Sequence, residues 1–233
     1  MMENRLLDNL HSIRGRIEAS AVKSGRSADA VTLIAVTKYV NFQTTMLLAE
    51  AGEVDFGESR PQVLWEKAEG LEADAIRWHM IGHLQRNKVD RTLPLCSLIH
   101  SVDSRRLLRS IDSAAGKLER QCECLLEVNI SGESAKHGFQ SDELESVLND
   151  TAELKNVRVR GLMGMASLTG DLKTNQKEFG QLRELRDRLL GLQSENIDLS
   201  ELSMGMSSDF EQAIEEGATL VRIGSVLFDG VND

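Results

Sequence analysis

Apolar residues recur along this chain in two alternating rhythms. From Met2 to about Gly25, the positions Leu6, Leu10, Ile13 and Ile17 stand three or four apart, which predicts an amphipathic helix that Gly25 ends. The run Val31–Thr37 (VTLIAVT) switches to the compact β-branched pattern of a strand, and a helix through Met46, Leu47 and Ala49 follows it. The switch then repeats down the chain. Strands are predicted at Val54–Phe56, Ile76–Ile81, Ser97–Val102, Cys122–Ile130, Val157–Met163, Leu199–Met204 and Thr219–Ile223. Helices are predicted between them at Arg60–Leu71, Gln85–Asp90, Ser104–Leu118, Asp142–Leu154, Gln176–Leu192 and Asp209–Glu216.

Strand–helix alternation implies a parallel sheet, because parallel neighbours need a crossover and a helix is the usual one. Some eight such units in 233 residues predict an α/β fold, a single (β/α)8 TIM-type barrel with an extra N-terminal helix, as one domain over residues 1–233. An open doubly wound sheet usually has fewer strands and a Gly-rich first turn, and the sequence contains neither G-x-G-x-x-G nor a P-loop. Pro61 and Pro94 fall near helix starts or in connections, where a missing amide donor does least harm.

Charge narrows the partners. With 27 basic and 37 acidic residues the net charge is −10, which repels nucleic acid and anionic membrane alike. A small anionic ligand must then be held by local geometry. No stretch approaches the roughly 20 consecutive apolar residues of a membrane span. Three cysteines, Cys96, Cys122 and Cys124, are an odd number, and the chain start lacks a basic segment followed by an apolar one. Both features predict a cytoplasmic protein. A monomer is expected.

In a parallel barrel, functional groups sit at the C-terminal ends of the strands. Those ends carry Thr37-Lys38-Tyr39, Gly57-Glu58-Ser59-Arg60, Gly82-His83, Ser101-Val102-Asp103, Asn129–Gly132 with Lys136-His137-Gly138, Met163-Gly164-Met165, Gly205–Asp209 and Gly224-Ser225. The last two segments suit a phosphate, since barrel phosphate sites commonly use the loops after strands seven and eight with a helix N-terminus. Ser207, Ser208, Gly224 and Ser225 supply hydroxyls and bare backbone there; alternatively, Ser207–Asp209 merely caps the next helix.

Alternation in the last strand puts Leu220, Arg222 and Gly224 on one face and the aliphatic Val221 and Ile223 on the other. Arg222 therefore points into the lumen, to meet an anion or to form a structural ion pair, with Glu58 as one partner. Ile34, Val36 and Lys38 share a face in the first strand. A lysine desolvated there, or facing a cation such as Arg222, is primed to form a Schiff base, unless it simply reaches solvent from the rim. The same alternation turns Tyr39 away from the lumen.

Cys122 and Cys124 face one way in a strand but lack a second pair of zinc ligands, so core thiols are expected. His79 and His83 sit four apart in a strand that runs into glycine, without the zincin glutamate, and no metal is expected. The methionines around Met163 and Met204 read as barrel packing, with a soft rim that suits a flat ring.

The chain closely resembles the pyridoxal 5′-phosphate (PLP) homeostasis protein family over nearly its whole length. The residues that carry the resemblance are Ala35–Lys38 (AVTK), Phe56–Ser59 (FGES), Trp78–Lys88 (WHMIGHLQRNK), Ile99–Asp103 (IHSVD), Lys136–Gly138 (KHG), Gly161–Met163 (GLM), Leu202–Ser207 (LSMGMS) and Val221–Gly224 (VRIG). It implies a fold similar to the N-terminal barrel of bacterial alanine racemase, and PLP as cofactor, bound through an imine to Lys38. It also implies phosphate contacts near Ser207, Gly224 and Ser225, with Arg222 beside the cofactor. Ser59 and Met165 complete the set of cofactor-binding residues expected on this rim. Ser59 stands where the family usually has asparagine, and Ser225 where threonine is common.

The function implied is a PLP carrier without a robust catalytic cycle, releasing its cofactor by transimination to amines or to apo PLP-dependent enzymes. The alternative is a PLP-dependent amino-acid racemase. Alanine racemase adds a second β domain and uses a tyrosine base from its partner subunit, whereas this chain runs about ten residues past Arg222 and has one tyrosine. A barrel acting on a sugar phosphate without PLP ranks last, since it leaves Lys38 and the Trp78–Lys88 run unexplained.

Overall fold

Each strand of the chain turns one row of side chains outward and one inward, and the two rows differ in chemistry. The computed structural model describes residues 2–70, 76–133, 137–167 and 170–231. Its elements run α1 (Met2–Lys23), β1 (Thr32–Val36), α2 (Phe42–Glu50), β2 (Asp55–Glu58), α3 (Pro61–Gly70), β3 (Arg77–Met80), α4 (Val89–Thr92), β4 (Leu98–Val102) and α5 (Arg105–Lys117). They continue with β5 (Cys122–Val128), α6 (Leu144–Thr151), β6 (Val157–Gly164), α7 (Leu172–Leu189), β7 (Ile197–Met206), α8 (Phe210–Glu215) and β8 (Leu220–Ile223). The eight strands pair in sequence order, all parallel, and β8 closes on β1 with Arg222 beside Ile34. This is the expected barrel.

The outward row is aliphatic and aromatic. Phe56, Trp78, Ile99, Leu126, Val159 and Val221 pack with the inner faces of the helices into one buried layer around the barrel. Full burial of such a side chain contributes about 1.5–3 kcal/mol, so this annulus is the main source of stability. α5 shows how a helix joins it: Leu107, Leu108, Ile111, Ala114 and Ala115 are buried along one stripe, and the Ser104 side chain accepts the Leu107 N–H to start the helix. α1 buries Leu6, Leu10, Ile13, Ile17 and Ala21 and lies against α8, with Arg16 over the Phe210 ring.

The inward row is mixed. A small apolar cluster of Ile34, Leu98, Leu125, Met163 and Leu220 fills the middle of the lumen, with Met165 packed against it. The N-terminal mouth is closed by ion pairs, Arg77 with Asp55 and Arg160 with Glu123 and Asp198. Polar groups at the other end line the rim.

Several element boundaries differ from expectation, each for a local reason. α7 begins at Leu172 rather than Gln176 because Asp171 caps it, accepting the Thr174 N–H at 2.8 Å. The Gln85–Asp90 helix resolves into a 3-10 turn (Arg86–Lys88), the single turn α4 and a second 3-10 turn (Leu93–Leu95) that contains Pro94. β7 extends beyond Leu199–Met204 at both ends and shifts register between Ser203 and Met206. Gly205 there has φ +89°, and a Cβ would stand 2.5 Å from that of Ala213, so only glycine fits. The predicted helix end at Leu71 and the residue Lys136 lie outside the described residues.

A buried clamp holds the turn after β1. Lys67, from α3, donates to Glu58 Oε1 and to the Thr37 carbonyl, both at 2.7 Å, and the Thr37 hydroxyl donates to the same carboxylate oxygen at 2.7 Å. The Val40 N–H closes the turn on the Thr37 carbonyl at 3.1 Å. Glu58 shares its parity with Phe56 and faces the helices, so the lumenal pairing of Glu58 with Arg222 considered from the sequence does not occur. Lys67→Met would leave that carboxylate buried and unpaired. It is expected to cost about 3–5 kcal/mol in urea unfolding, whereas Lys67→Met combined with Glu58→Gln should cost clearly less.

Candidate functional site

The ends of β1 and β8 are neighbours in the closed barrel, so the turn after one faces the loop after the other. Between them opens a cavity of about 410 Å³, lined by Val36, Lys38, Tyr39, Ser59, Ile81, Gly82, Met165, Met206, Ser207, Ser208, Arg222, Gly224 and Ser225. That is within the usual size range for a small-ligand site. The seven residues expected from the sequence to meet a cofactor, Lys38, Ser59, Met165, Ser207, Arg222, Gly224 and Ser225, all line this cavity.

One pole of the cavity is built of hydrogen-bond donors. Ser207 Oγ accepts the N–H groups of Gly224 at 3.2 Å and Val226 at 3.5 Å, which leaves the hydroxyl proton of Ser207 to be donated elsewhere. The Ser208 and Ser225 side chains stand exposed beside it. A Cβ at Gly224 would lie 3.0 Å from the Val36 carbonyl oxygen, so bare backbone is needed where β8 passes β1. This donor set fits an anion such as a phosphate.

The capping alternative for this pole needs correction. Asp209 gives no side-chain cap to α8; its carboxylate turns back to accept the Met206 N–H at 2.7 Å and the Asn175 amide at 3.0 Å, so the capping alternative does not hold. After β8 the chain turns through residues 224–230. The anion pole is a loop structure.

Lys38 is half-buried, and its Nζ lies 4.7 Å from the centroid of the Tyr39 ring. β1 ends at Val36, so strand alternation no longer governs the next residues. The turn brings Tyr39 onto the cavity wall instead of turning it away, although most of the ring remains in solvent.

Arg222 is buried in the lumen at the cavity floor, 4% exposed. Its Nη1 donates to Ser203 Oγ at 2.5 Å and its Nη2 to the Gly164 carbonyl at 3.1 Å, which accounts for two of its five donors. Burial pulls the guanidinium down to about 10, opposed by the Glu127 and Asp209 carboxylates, so it stays cationic at neutral pH. Among the described residues it makes no direct ion pair.

Sequence reasoning named His83, Asp103 and His137 among the strand ends but passed over Glu127. Glu127 shares parity with Leu125 and so faces the mouth of the lumen. Burial, then the Asp103 carboxylate, push its carboxyl up to about 7, against the pull of Arg222 and His83. His83 Nδ1 meets Asp103 Oδ2 at 2.8 Å, and the His137 ring stacks on His83 with centroids 4.6 Å apart and 19° between planes. An ion shared by two stacked imidazoles would lie out of both ring planes, away from the nitrogen lone pairs, so this trio suits an ion pair better than a metal. His79 and His83 do not converge: one is buried in the lumen, the other exposed on the rim. The three cysteines are buried in the outer layer, and burial pushes the thiols of Cys96 and Cys122 up to about 12 and about 11. They are unreactive as nucleophiles.

The chain matches the family model of the alanine racemase N-terminal domain over residues 5–231. The chain is 38% identical over 221 residues to the pyridoxal phosphate homeostasis protein of Aquifex aeolicus, covering 95% of this chain and 96% of that one. It superposes with a TM-score of 0.83 on PipY of Synechococcus elongatus solved with PLP bound, at 33% identity and covering 98% and 100% of the two chains. An unknown protein from Bifidobacterium adolescentis gives a TM-score of 0.90 at 35% identity, over 97% and 96%. The chain belongs to the pyridoxal phosphate homeostasis protein family.

Glu127 makes the site's pH behaviour testable. Its folded value of about 7 lies above the 4.5 of a free glutamate, so between those values the folded protein keeps a proton that the unfolded chain has released. Stability therefore falls as pH rises through that window, and the cost is complete above it. Glu127→Gln is expected to stabilise the protein at pH 8 by roughly 2–3 kcal/mol in chemical denaturation, with no difference near pH 4.

Proposed function

We propose that this chain binds pyridoxal 5′-phosphate in the cavity between β1 and β8, as a PLP homeostasis protein rather than as an enzyme with a robust catalytic cycle. The observation that carries the reading is the pairing of a half-buried lysine with a serine-lined pole in one cavity. Its relatives support it: they are named pyridoxal phosphate homeostasis proteins, and PipY has been solved with PLP.

In this reading Ser207, Ser208, Ser225 and the backbone at Gly224 hold the phosphate. Arg222 would donate to the cofactor from the floor, Met165 and Met206 would offer it apolar contact, and Ser59 would offer one hydroxyl where the family usually has an amide. Bound PLP supplies an aldehyde carbon that condenses with a primary amine. Lys38 would hold that carbon as a Schiff base with loss of water, and an incoming amine, free or on an apo PLP-dependent enzyme, would exchange with the lysine and free its amine on release. The clamp of Lys67, Glu58 and Thr37 keeps the lysine's turn in position. Residues 1–233 act as one cofactor-binding domain, as a monomer in the cytoplasm. The buried thiols suit a reducing compartment, and no helix among the described residues is long and apolar enough to cross a membrane.

An amino-acid racemase is the second reading, and Tyr39 on the cavity wall is what favours it. Racemisation needs acid–base groups on both faces of the ring, whereas Tyr39 comes from the same turn as Lys38.

Two sets of variants test the assignment. Lys38→Ala should abolish the imine absorption band while leaving weakened PLP binding. Ser207→Ala with Ser225→Ala should weaken PLP binding by about 10- to 100-fold, the loss of hydrogen bonds to a charged group, while leaving affinity for unphosphorylated pyridoxal nearly unchanged. A Lys38→Ala protein with an unaltered imine band contradicts the lysine's role.

A further inference from the structure

A continuous file of polar side chains crosses the barrel lumen from its N-terminal mouth to the cavity floor. At the mouth, Arg77 donates from Nε and Nη2 to the two oxygens of Asp55, at 2.6 and 2.5 Å. Asp55 Oδ1 also meets His79 Nε2 at 2.9 Å, and His79 Nδ1 meets His100 Nε2 at 2.9 Å. His100 Nδ1 lies 2.8 Å from Ser203 Oγ, which accepts from Arg222 Nη1 at 2.5 Å. Every member beyond Arg77 is buried.

The protons of this file are settled by its ends. Burial above all, with the nearby Arg222 cation, holds His100 well below the ordinary histidine range, so it is neutral, with one donor and one acceptor. Burial alone would raise the Asp55 carboxyl, but the bonds from Arg77 and His79 outweigh it and keep the group below its usual value, as an anion. Arg222 cannot accept a hydrogen bond and ionised Asp55 cannot donate one. The sense that leaves no proton stranded runs Ser203 O–H to His100 Nδ1, His100 Nε2–H to His79 Nδ1, and His79 Nε2–H to Asp55. The opposite sense needs a second proton on His79. It also leaves the Ser203 hydroxyl proton without an acceptor among these partners, a costly arrangement in a buried network.

We propose that Asp55, His79, His100 and Ser203 are remote positioning residues for Arg222. The one-way file presents the Ser203 lone pair to Nη1 and, together with the Gly164 carbonyl on Nη2, fixes which guanidinium donors are left for the ligand. Glu127 and Asp209 act on the same cation through space, but neither bonds to it. The inference rests on the reading of the cavity as a PLP site only in the identity of that ligand.

Two measurements test it. Nitrogen-15 NMR of the ligand-free protein should show His100 protonated on Nε2 and bare on Nδ1 at neutral pH; a proton on Nδ1 overturns the file whatever the cavity binds. In the PLP-loaded protein, Ser203→Ala should raise the PLP dissociation constant about tenfold, the loss of one charge-assisted bond. Asp55→Asn should raise it by a smaller factor, and both should shift the bound cofactor's absorption maximum in the same direction, with Ser203→Thr restoring it. Variants that melt like wild type yet keep its constant and spectrum overturn the inference. An absent imine band in the wild-type protein overturns the cofactor reading instead, and the histidine tautomers alone then decide the relay.

Discussion

A closed parallel barrel gives every strand one row of side chains that has nowhere to go but a narrow lumen. That constraint organises this molecule. The outward rows are aliphatic enough to hold the helices, which frees the inward rows to carry polar groups whose cost is met by one another. A buried cation such as Arg222 is tolerable because hydrogen-bonding groups on the two preceding strands, β7 and β6, accept from it. The same closure sets β8 beside β1, which brings a lysine and an anion pole from opposite ends of the sequence to one lip.

Much of the fold was legible because period-two alternation and helix stripes are local signals. The inward direction of Arg222 and Leu220, and the outward direction of Val221 and Ile223, follow from four consecutive letters. The rim was legible too, since polar residues and glycines directly after aliphatic runs mark strand ends. The rule misled where it was carried past its element: Tyr39 lies beyond the last residue of β1, and turn geometry decides its direction. The Glu58–Arg222 pairing neglected the same rule, because Glu58 shares the outward parity of Phe56.

What the sequence concealed is mostly long-range pairing. His100 and Ser203 are 103 residues apart and meet only because β4 and β7 face each other across the lumen. Their inward parity could have been read from Leu98 and from Leu202, but not their meeting. Glu127 is similar: its parity was readable, whereas its raised carboxyl depends on burial and then on Asp103 at the end of the neighbouring strand. The serines after β7 and the Gly-Ser pair after β8 were readable as polar strand ends, but the Asp209 carboxylate, an alternative cap for α8 in the sequence, turns back to Met206 and Asn175 instead.

The account assigns one lysine to covalent attachment, and this is checked most directly by loading the protein with PLP, reducing with borohydride and mapping the adduct by mass spectrometry. A phosphopyridoxyl mass on the peptide containing Lys38 is the predicted result. No adduct, or one confined to another lysine, contradicts it.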